Sequence, residues 1–499
     1  YNILEDIKIK FIFYGKAVLM NRFLKFLLSL STVAMTTILP IAANDGHEAV
    51  AAVLPAWSVI PFIGMLLSIA VIPLTHPHWW EKNMHVPAGI WSLVFIIPFA
   101  FAYGFSEAWF RFLESMLLDY VPFIVLLFGL FVAAGGIAVR GTLPGTPKVN
   151  MLILFIGTML ASWIGTTGAA MVMIRPLIRA NKWRKKAAHV IVFFIFLVAN
   201  IGGCLTPLGD PPLFMGFQRG VPFTWTFHLA PFLLLNMIIL FAAFYFIDSH
   251  FCKKELAEGR SPMDELSESE KEPIRIEGLH NLIFIGMIIV GVIANGLLPK
   301  EFAFFADNAG IPVYDEIVFP YATIVEIIII LAAAFLSLKT TKESIHELNG
   351  FSHAPIIEVA TLFLGIFITM IPALIFLKVH GAQLGIHDPW QLFWATGFLS
   401  SFLDNTPTYL VFLQTAGAIG STTGIHTSVG TVSQIMLEAI SAGAVFMGAN
   451  TYIGNAPNFM VKSIAEENGI KMPSFFGYMG WSIAILIPTF IIDTIVFFL

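Results

Sequence analysis

Apolar segments long enough to cross a bilayer recur along this chain, and they constrain its fold more than any motif does. A membrane-spanning helix needs about 20 apolar residues. Such runs lie near 54–75, 85–104, 117–138, 187–205, 228–250, 277–299, 315–337, 354–378, 431–449 and 475–499. Of 499 residues, 57% are hydrophobic and 12% are charged, about half the charged share of a soluble domain. Only helices and closed barrels satisfy every backbone group inside lipid. The expected fold class is therefore an all-α polytopic membrane protein. The net charge of −5 says little about orientation, which follows where Lys and Arg sit. Cys204 and Cys252 make no disulfide framework and no metal spacing. The absence of GxxxxGK[ST] argues against an ATP-driven motor. No enzyme is expected.

Two regions fail the length test. Between 149 and 181, apolar arms flank Gly165-Thr166-Thr167-Gly168; between 388 and 419, similar arms flank Asp404-Asn405-Thr406-Pro407. Arms of roughly 15 residues suit re-entrant hairpins, whose non-helical tips survive at membrane depth only where protein or a water cavity shields them. Arg140 and Lys148 precede the first hairpin and NKWRKK (181–186) follows it, so its ends are expected in the cytoplasm. Lys82, the polar stretch 253–275, Lys339, Lys342, Lys462 and Lys471 fall on the same side. The second hairpin is flanked by GIHDPWQ and GSTTGIH, without Lys or Arg, and its ends are expected outside.

The two halves look like copies. PFIGMLL (61–67) matches IFIGMII (283–289), and LLFGLFV (126–132) matches LFLGIFI (362–368). IGTMLASWIGTTGAAMVM (156–173) lies on ATGFLSSFLDNTPTYLVF (395–412), and GDPPLFM (209–215) on GNAPNFM (454–460). The offsets rise in order, 222, 236, 239 and 245, as small loop insertions in a duplicated unit would make them. The charge pattern sets the copies in opposite orientations, the inverted repeat of secondary transporters. Residues 54–250 are expected to form an N-terminal transport repeat, 251–276 a cytoplasmic linker, and 277–499 the inverted C-terminal repeat. Residues 1–53 hold an upstream segment and then MNRFLKFLLSLSTVAMTTILPIAANDG, which suits either a secretory signal or a first transmembrane helix.

In transporters built this way the substrate site lies near the midplane, between discontinuous helices. Each half supplies one hairpin tip and one broken helix, here 200–212 and 448–457. Pro207, Pro211, Pro212, Pro407 and Pro457 interrupt helical hydrogen bonding and free backbone carbonyls. Those carbonyls and nearby side-chain oxygens suit a small cation, whereas the half-helix amino ends favour an anion. Asp210 and Asp404 stand at the breaks. A carboxylate near the bilayer centre costs at least about 2.5 kcal/mol, which makes it a functional candidate; helix capping is the structural alternative. A group that holds either a proton or a metal ion is the core of an antiporter, so Na⁺ is expected at Asp404 and Asp210. Asn405, Thr406, Thr166, Thr167, Asn200, Thr206, Asn450, Thr451 and Asn455 are the candidate neutral ligands. Glu326, Glu358 and Glu438 are further intramembrane acids that could relay protons.

SFLDNTPTYLVF, NIGGCLTPLGDPPLF, EVATLFLGIFITMIPAL and GANTYIGNAPNFMVKSIAEE resemble segments of NhaD-type sodium/proton antiporters of the Ion Transporter superfamily. The resemblance covers nearly everything from residue 54 onward. It implies exchange of cytoplasmic Na⁺ or Li⁺ for external H⁺ across a bacterial inner membrane, in support of pH homeostasis. It implies no cofactor beyond the transported ions and no nucleic acid. The partners it implies are Na⁺ or Li⁺, H⁺, the bilayer and a second copy of the chain in a homodimer. Related branches carry dicarboxylates, citrate or arsenite, and anion transport is the alternative function. The dicarboxylate branch typically shows Ser-Asn-Thr at its tips, where this chain has Gly-Thr-Thr and Asp-Asn-Thr.

Overall fold

The structure, a computed structural model, describes residues 54–261, 273–306 and 309–499. The segment 1–53, with its two readings, lies outside the described residues, as does the middle of the stretch 251–276. The first half contributes α1 (Ile60–Thr75), α2 (His85–Tyr103), α3 (Phe105–Gly135), α4 (Pro147–Ile164), α5 (Thr166–Ala180), α6 (Ala188–Leu197), α7 (Pro211–Gln218) and α8 (Ala230–Ala257). The second contributes α9 (Asn281–Glu301), α10 (Tyr321–Thr340), α11 (Ala354–His380), α12 (Pro389–Phe402), α13 (Asn405–Ile419), α14 (Gln434–Met447), α15 (Ala456–Glu467) and α16 (Phe475–Asp493). The protein is an all-α polytopic membrane protein, and among the described residues ten helical segments are long and apolar enough to cross a bilayer.

Both hairpins form, but their turns are built differently. Gly165 makes the first turn at φ +79, ψ 149, a backbone region open to glycine alone. Asp404, at the equivalent position in the second hairpin, instead caps α13: its side chain accepts from the Thr406 amide at 3.0 Å. The broken helices match more closely. Thr206 and Thr451 are extended (φ −138, ψ 158 and φ −138, ψ 168), as are Asp210 and Asn455 (φ −141, ψ 139 and φ −153, ψ 140).

The repeat extends to individual hydrogen bonds. The Thr206 hydroxyl donates to the Ser162 carbonyl, and the Thr451 hydroxyl to the Ser401 carbonyl. The Ser162 hydroxyl donates to the Gly202 carbonyl, and the Ser401 hydroxyl to the Met447 carbonyl. Both pairs carry the offsets 239 and 245 read from the sequence. The halves also exchange their long helices. Gly129 of α3 lies against Ile330 and Ile288 of α10 and α9, while Gly365 of α11 lies against Ala88 and Met65 of α2 and α1. Each glycine admits a neighbour that a Cβ would displace. The result is one bundle of α1, α2, α3, α9, α10 and α11, and another of the hairpins, the broken helices, α8 and α16.

Charge separates the two ends of the molecule. At one end β1 (Ala138–Arg140) pairs with β2 (Arg275–Glu277), and Arg140 meets Glu277 at 3.0 Å. Asn349 and Asn281 donate to carbonyls of 135–137, Gly145 bonds Ala180, and Glu255 accepts from the Lys186 amide. These contacts gather Arg140, Lys148, 181–186, Lys253, Lys254, Lys339 and Lys342 at a basic end. At the other end lie Arg111, Arg219 and Lys300 with the small hairpins β3–β4 (Gly310–Tyr314, Ile317–Pro320) and β5–β6 (Ile425–Thr427, Gly430–Val432). Equivalent helices run in opposite directions. Asn236, near the start of α8, donates to both Asp493 oxygens at the end of α16.

Several expected boundaries shift. The run 117–138 is part of a 31-residue helical span from Phe105, continued through a π-helical turn at Ser115–Tyr120. The arm Pro147–Ile164 has 18 residues, longer than expected, yet it returns at Gly165 to a buried tip. The run 431–449 yields only a 14-residue helix, α14, because the chain breaks at Gly448. The run 315–337 begins as a β-hairpin turning at Asp315 (φ 50), and α10 starts after Pro320. The stretch 251–276 is not wholly a linker. The chain stays helical to Ala257, held by Arg184, whose side chain is buried against Asp248 and Glu255.

Candidate functional site

The breaks in all four discontinuous elements converge on one carboxylate. Asp210 is 1% exposed. It occupies the cap position of α7, yet its side chain makes no cap hydrogen bond: Pro211 and Pro212 present no N–H, and the Leu213 amide bonds the Asp210 carbonyl. Its oxygens turn instead to three other breaks. Thr166, at the first hairpin tip, donates its hydroxyl to Asp210 Oδ1 at 3.1 Å. Asn455, in the second broken helix, donates Nδ2 to the same oxygen at 3.3 Å. Asn405, at the second hairpin tip, donates Nδ2 to Oδ2. Burial of a carboxylate without donors would cost several kcal/mol, so this shell is what lets Asp210 sit where it does.

A second layer fixes these donors. Asn455 Nδ2 also reaches the Ala199 carbonyl at 3.2 Å and Asn200 Oδ1 at 3.3 Å. Asn200 donates to Asn458 Oδ1 at 2.7 Å, and Asn458 donates to the carbonyls of Gly448 and Thr451, both at 2.9 Å. The Thr166 amide bonds the Gly209 carbonyl at 2.9 Å, tying the tip to the broken helix. Backbones approach closely here: a Cβ on Gly203 would lie 2.7 Å from the Thr166 methyl and 3.1 Å from the Asp210 Cβ. Each partner of Asp210 named here is neutral. Thr and Asn oxygens and freed carbonyls offer a hard oxygen set, while the amino ends of α5, α7, α13 and α15 supply positive dipole ends. The site therefore has chemistry for a small cation and for an anionic group beside it.

The sequence-selected residues divide into groups. Asp210, Thr166, Asn200, Asn405 and Asn455 come together. Thr206 and Thr451 brace the backbone through the Ser162 and Ser401 carbonyls, and do not point at Asp210. Asn450 donates to the Ser401 hydroxyl at 2.9 Å. The Thr406 hydroxyl lies 3.4 Å from Asn405 Oδ1. Thr167 lines a cavity of about 60 Å³ with Leu208, Pro211 and Pro355. Asp404 is half-buried and caps α13 as described, without a hydrogen bond to Asp210.

The three glutamates stand apart from the junction. Glu326 is buried between α9 and α10, where Asn295 donates to Oε2 at 2.5 Å. Glu358 lies near the start of α11 beside Trp80 and Glu81. Glu438 accepts from Gln434 on its own helix. Ser162, Ser401 and Asn458 were not anticipated. The two serines share a column in the hairpin alignment, which is a usable signal; Asn458 aligns with Leu213 and offers none.

No curated protein sequence matches this chain. The sequence model of the family described as "Putative citrate transport" matches residues 51–498, which takes in both hairpins, both broken helices and Asp210, and the chain belongs to that family.

Proposed function

We propose that this protein is a secondary active transporter that moves citrate-class carboxylates across the membrane together with a small cation, Na⁺ or H⁺. Asp210 is the group that binds the coupling cation. The observation that carries the reading is the junction at Asp210, where donors from both hairpins and the opposite broken helix meet on one buried carboxylate. Membership in a citrate transport family supports the choice of cargo. Four half-helix amino ends face the anion, and the cation at Asp210 offsets the like charge of the cargo. Residues 54–250 and 277–499 act as the two transport repeats. The basic end faces the cytoplasm, on the positive-inside rule, with the inner membrane of a bacterium as the setting.

Two observations favour a second reading, exchange of Na⁺ or Li⁺ for H⁺. Among the described residues the hydrogen-bond partners of Asp210 are neutral, and the tips read Gly-Thr-Thr and Asp-Asn-Thr. Purified protein in liposomes separates the two. Labelled citrate is supplied with an inward Na⁺ or H⁺ gradient, and internal pH is followed when Na⁺ is added without any carboxylate. Gradient-driven citrate accumulation supports the first reading. Na⁺-driven alkalinisation without carboxylate, and no citrate uptake, replaces it with the second.

A further inference from the structure

The junction at Asp210 belongs to the bundle of hairpins and broken helices, and transport by alternating access moves one bundle against the other around such a site. Contacts joining the two bundles at one end must then open and close. The carboxyl end of α7 makes such a contact. Arg219 Nη2 lies 2.9 Å from Asp119 Oδ2 on α3. The Asp119 side chain is 9% exposed and that of Arg219 23%. Asp119 stands within the π-helical turn Ser115–Tyr120, a rare wide turn that is frequent at functional sites. Two residues earlier, Phe217 sits on Gly296 of α9, where a Cβ would come 3.0 Å from the ring. The glycine leaves room for the ring, so an apolar seat accompanies the ion pair. The Arg219 carbonyl also accepts from the Ser428 amide, which ties the β5–β6 hairpin of the second repeat to the same spot.

We propose that the Arg219–Asp119 pair, with Phe217 seated on Gly296, is a latch. It holds the outer half of the first broken helix against the other bundle, at the end opposite the basic loops, and opens in every transport cycle. Pair and seat act at different ranges. The ring fills its seat only when the bundles are in register, while the charges still attract after the ring has lifted. The inference rests on alternating access, not on which ion is carried.

Two measurements test it. In a Cys204→Ser, Cys252→Ser background, Asp119→Cys and Arg219→Cys are joined by oxidation or a short cleavable cross-linker. Flux should fall roughly ten-fold or more and return on reduction. Unchanged flux in the cross-linked protein, or failure of the two cysteines to join, overturns the latch. The second measurement needs no knowledge of the cargo. Cys204 of the first broken helix is fully buried. In Cys252→Ser protein it is labelled with a membrane-impermeant maleimide from the end opposite the basic loops. Asp119→Asn should speed that labelling several-fold, and the swap Asp119→Arg with Arg219→Asp should slow it again. An unchanged rate in Asp119→Asn overturns the proposal, even if the protein carries neither citrate nor sodium.

Discussion

Asp210 and Asn455 occupy equivalent positions in the two repeats and touch each other: Asn455 Nδ2 lies 3.3 Å from Asp210 Oδ1. A duplicated chain has thus kept the backbone of both breaks while placing the charge in one copy alone. The carboxylate uses its own mate as a hydrogen-bond donor. Two aspartates at this spot would repel at close range, whereas Asp facing Asn makes a bond and leaves one net charge.

The first prediction follows from that pairing. Asp210→Asn removes the charge that holds the cation, and coupled flux should fall about 100-fold or more, the scale of losing one or two charge-assisted bonds. The protein should still insert and purify, because a buried charge has been removed and not added. The double variant Asp210→Asn, Asn455→Asp moves the carboxylate across the pseudo-axis into the same shell. It should recover measurable flux, read as uptake by reconstituted protein beside the single variant.

Asp404 should behave differently. Asn caps a helix about as well as Asp, while Ala loses about 1 kcal/mol. Asp404→Asn should leave thermal stability unchanged and retain far more flux than Asp210→Asn; Asp404→Ala should lower the midpoint of unfolding. If Asp404→Asn abolishes flux as fully as Asp210→Asn, the half-buried carboxylate is a second ion ligand as well as a cap.

How much of this was legible in the sequence differs from element to element. The hairpins and broken helices were, because a proline or glycine cluster inside an apolar run has few other uses, and the rising offsets tied them in pairs. Asp210 stood out for the same reason. The bracing of Thr206 on Ser162, the Asn200–Asn458 bond and the seat of Phe217 on Gly296 were not. Each joins residues from separate segments, and neither hydropathy nor spacing records which face of a helix meets which. Glu326 shows the converse: an acid inside an apolar run suits a proton relay and a buried structural partner alike, and only the fold pairs it with Asn295 on the neighbouring helix, away from the junction.

Protons and Na⁺ compete for one carboxylate in this account. Apparent Na⁺ affinity should therefore fall as pH drops, since each protonated Asp210 cannot hold the metal ion. Titrations of Na⁺-dependent uptake at several pH values would check the direction. An Na⁺ affinity independent of pH would remove Asp210 from the coupling role.

Two ion pairs set a contrast in stability. Arg184 has a fully buried side chain between Asp248 and Glu255, with His189 on Asp248 at 2.8 Å. Arg184→Met takes the guanidinium away from both carboxylates, leaving Asp248 to His189 and Asn150 and Glu255 to the Lys186 amide, and should cost about 3–5 kcal/mol. Lys462→Ala breaks an exposed pair with Glu466 and should cost less than about 1 kcal/mol. Unfolding midpoints of the detergent-purified variants measure both.

Gly165 offers a backbone test at the first tip. At φ +79, ψ 149, an Ala substitution strains the turn by about 1–3 kcal/mol, although the nearest atom to a new Cβ, the Leu208 carbonyl oxygen, is 3.5 Å away. Gly165→Ala should weaken cation binding through Thr166 while leaving expression near normal. Cation affinity from uptake kinetics, beside detergent stability, separates the two effects.

The central claim is that Asp210 couples a cation to the movement of a carboxylate, and one measurement meets it directly. Wild-type protein and Asp210→Asn are reconstituted side by side, and labelled citrate uptake is recorded with and without an inward Na⁺ or H⁺ gradient. The account predicts that wild-type vesicles accumulate citrate above equilibrium only when a gradient is present, and that Asp210→Asn vesicles do not accumulate it under any gradient. Gradient-driven accumulation by Asp210→Asn at the wild-type level would contradict it.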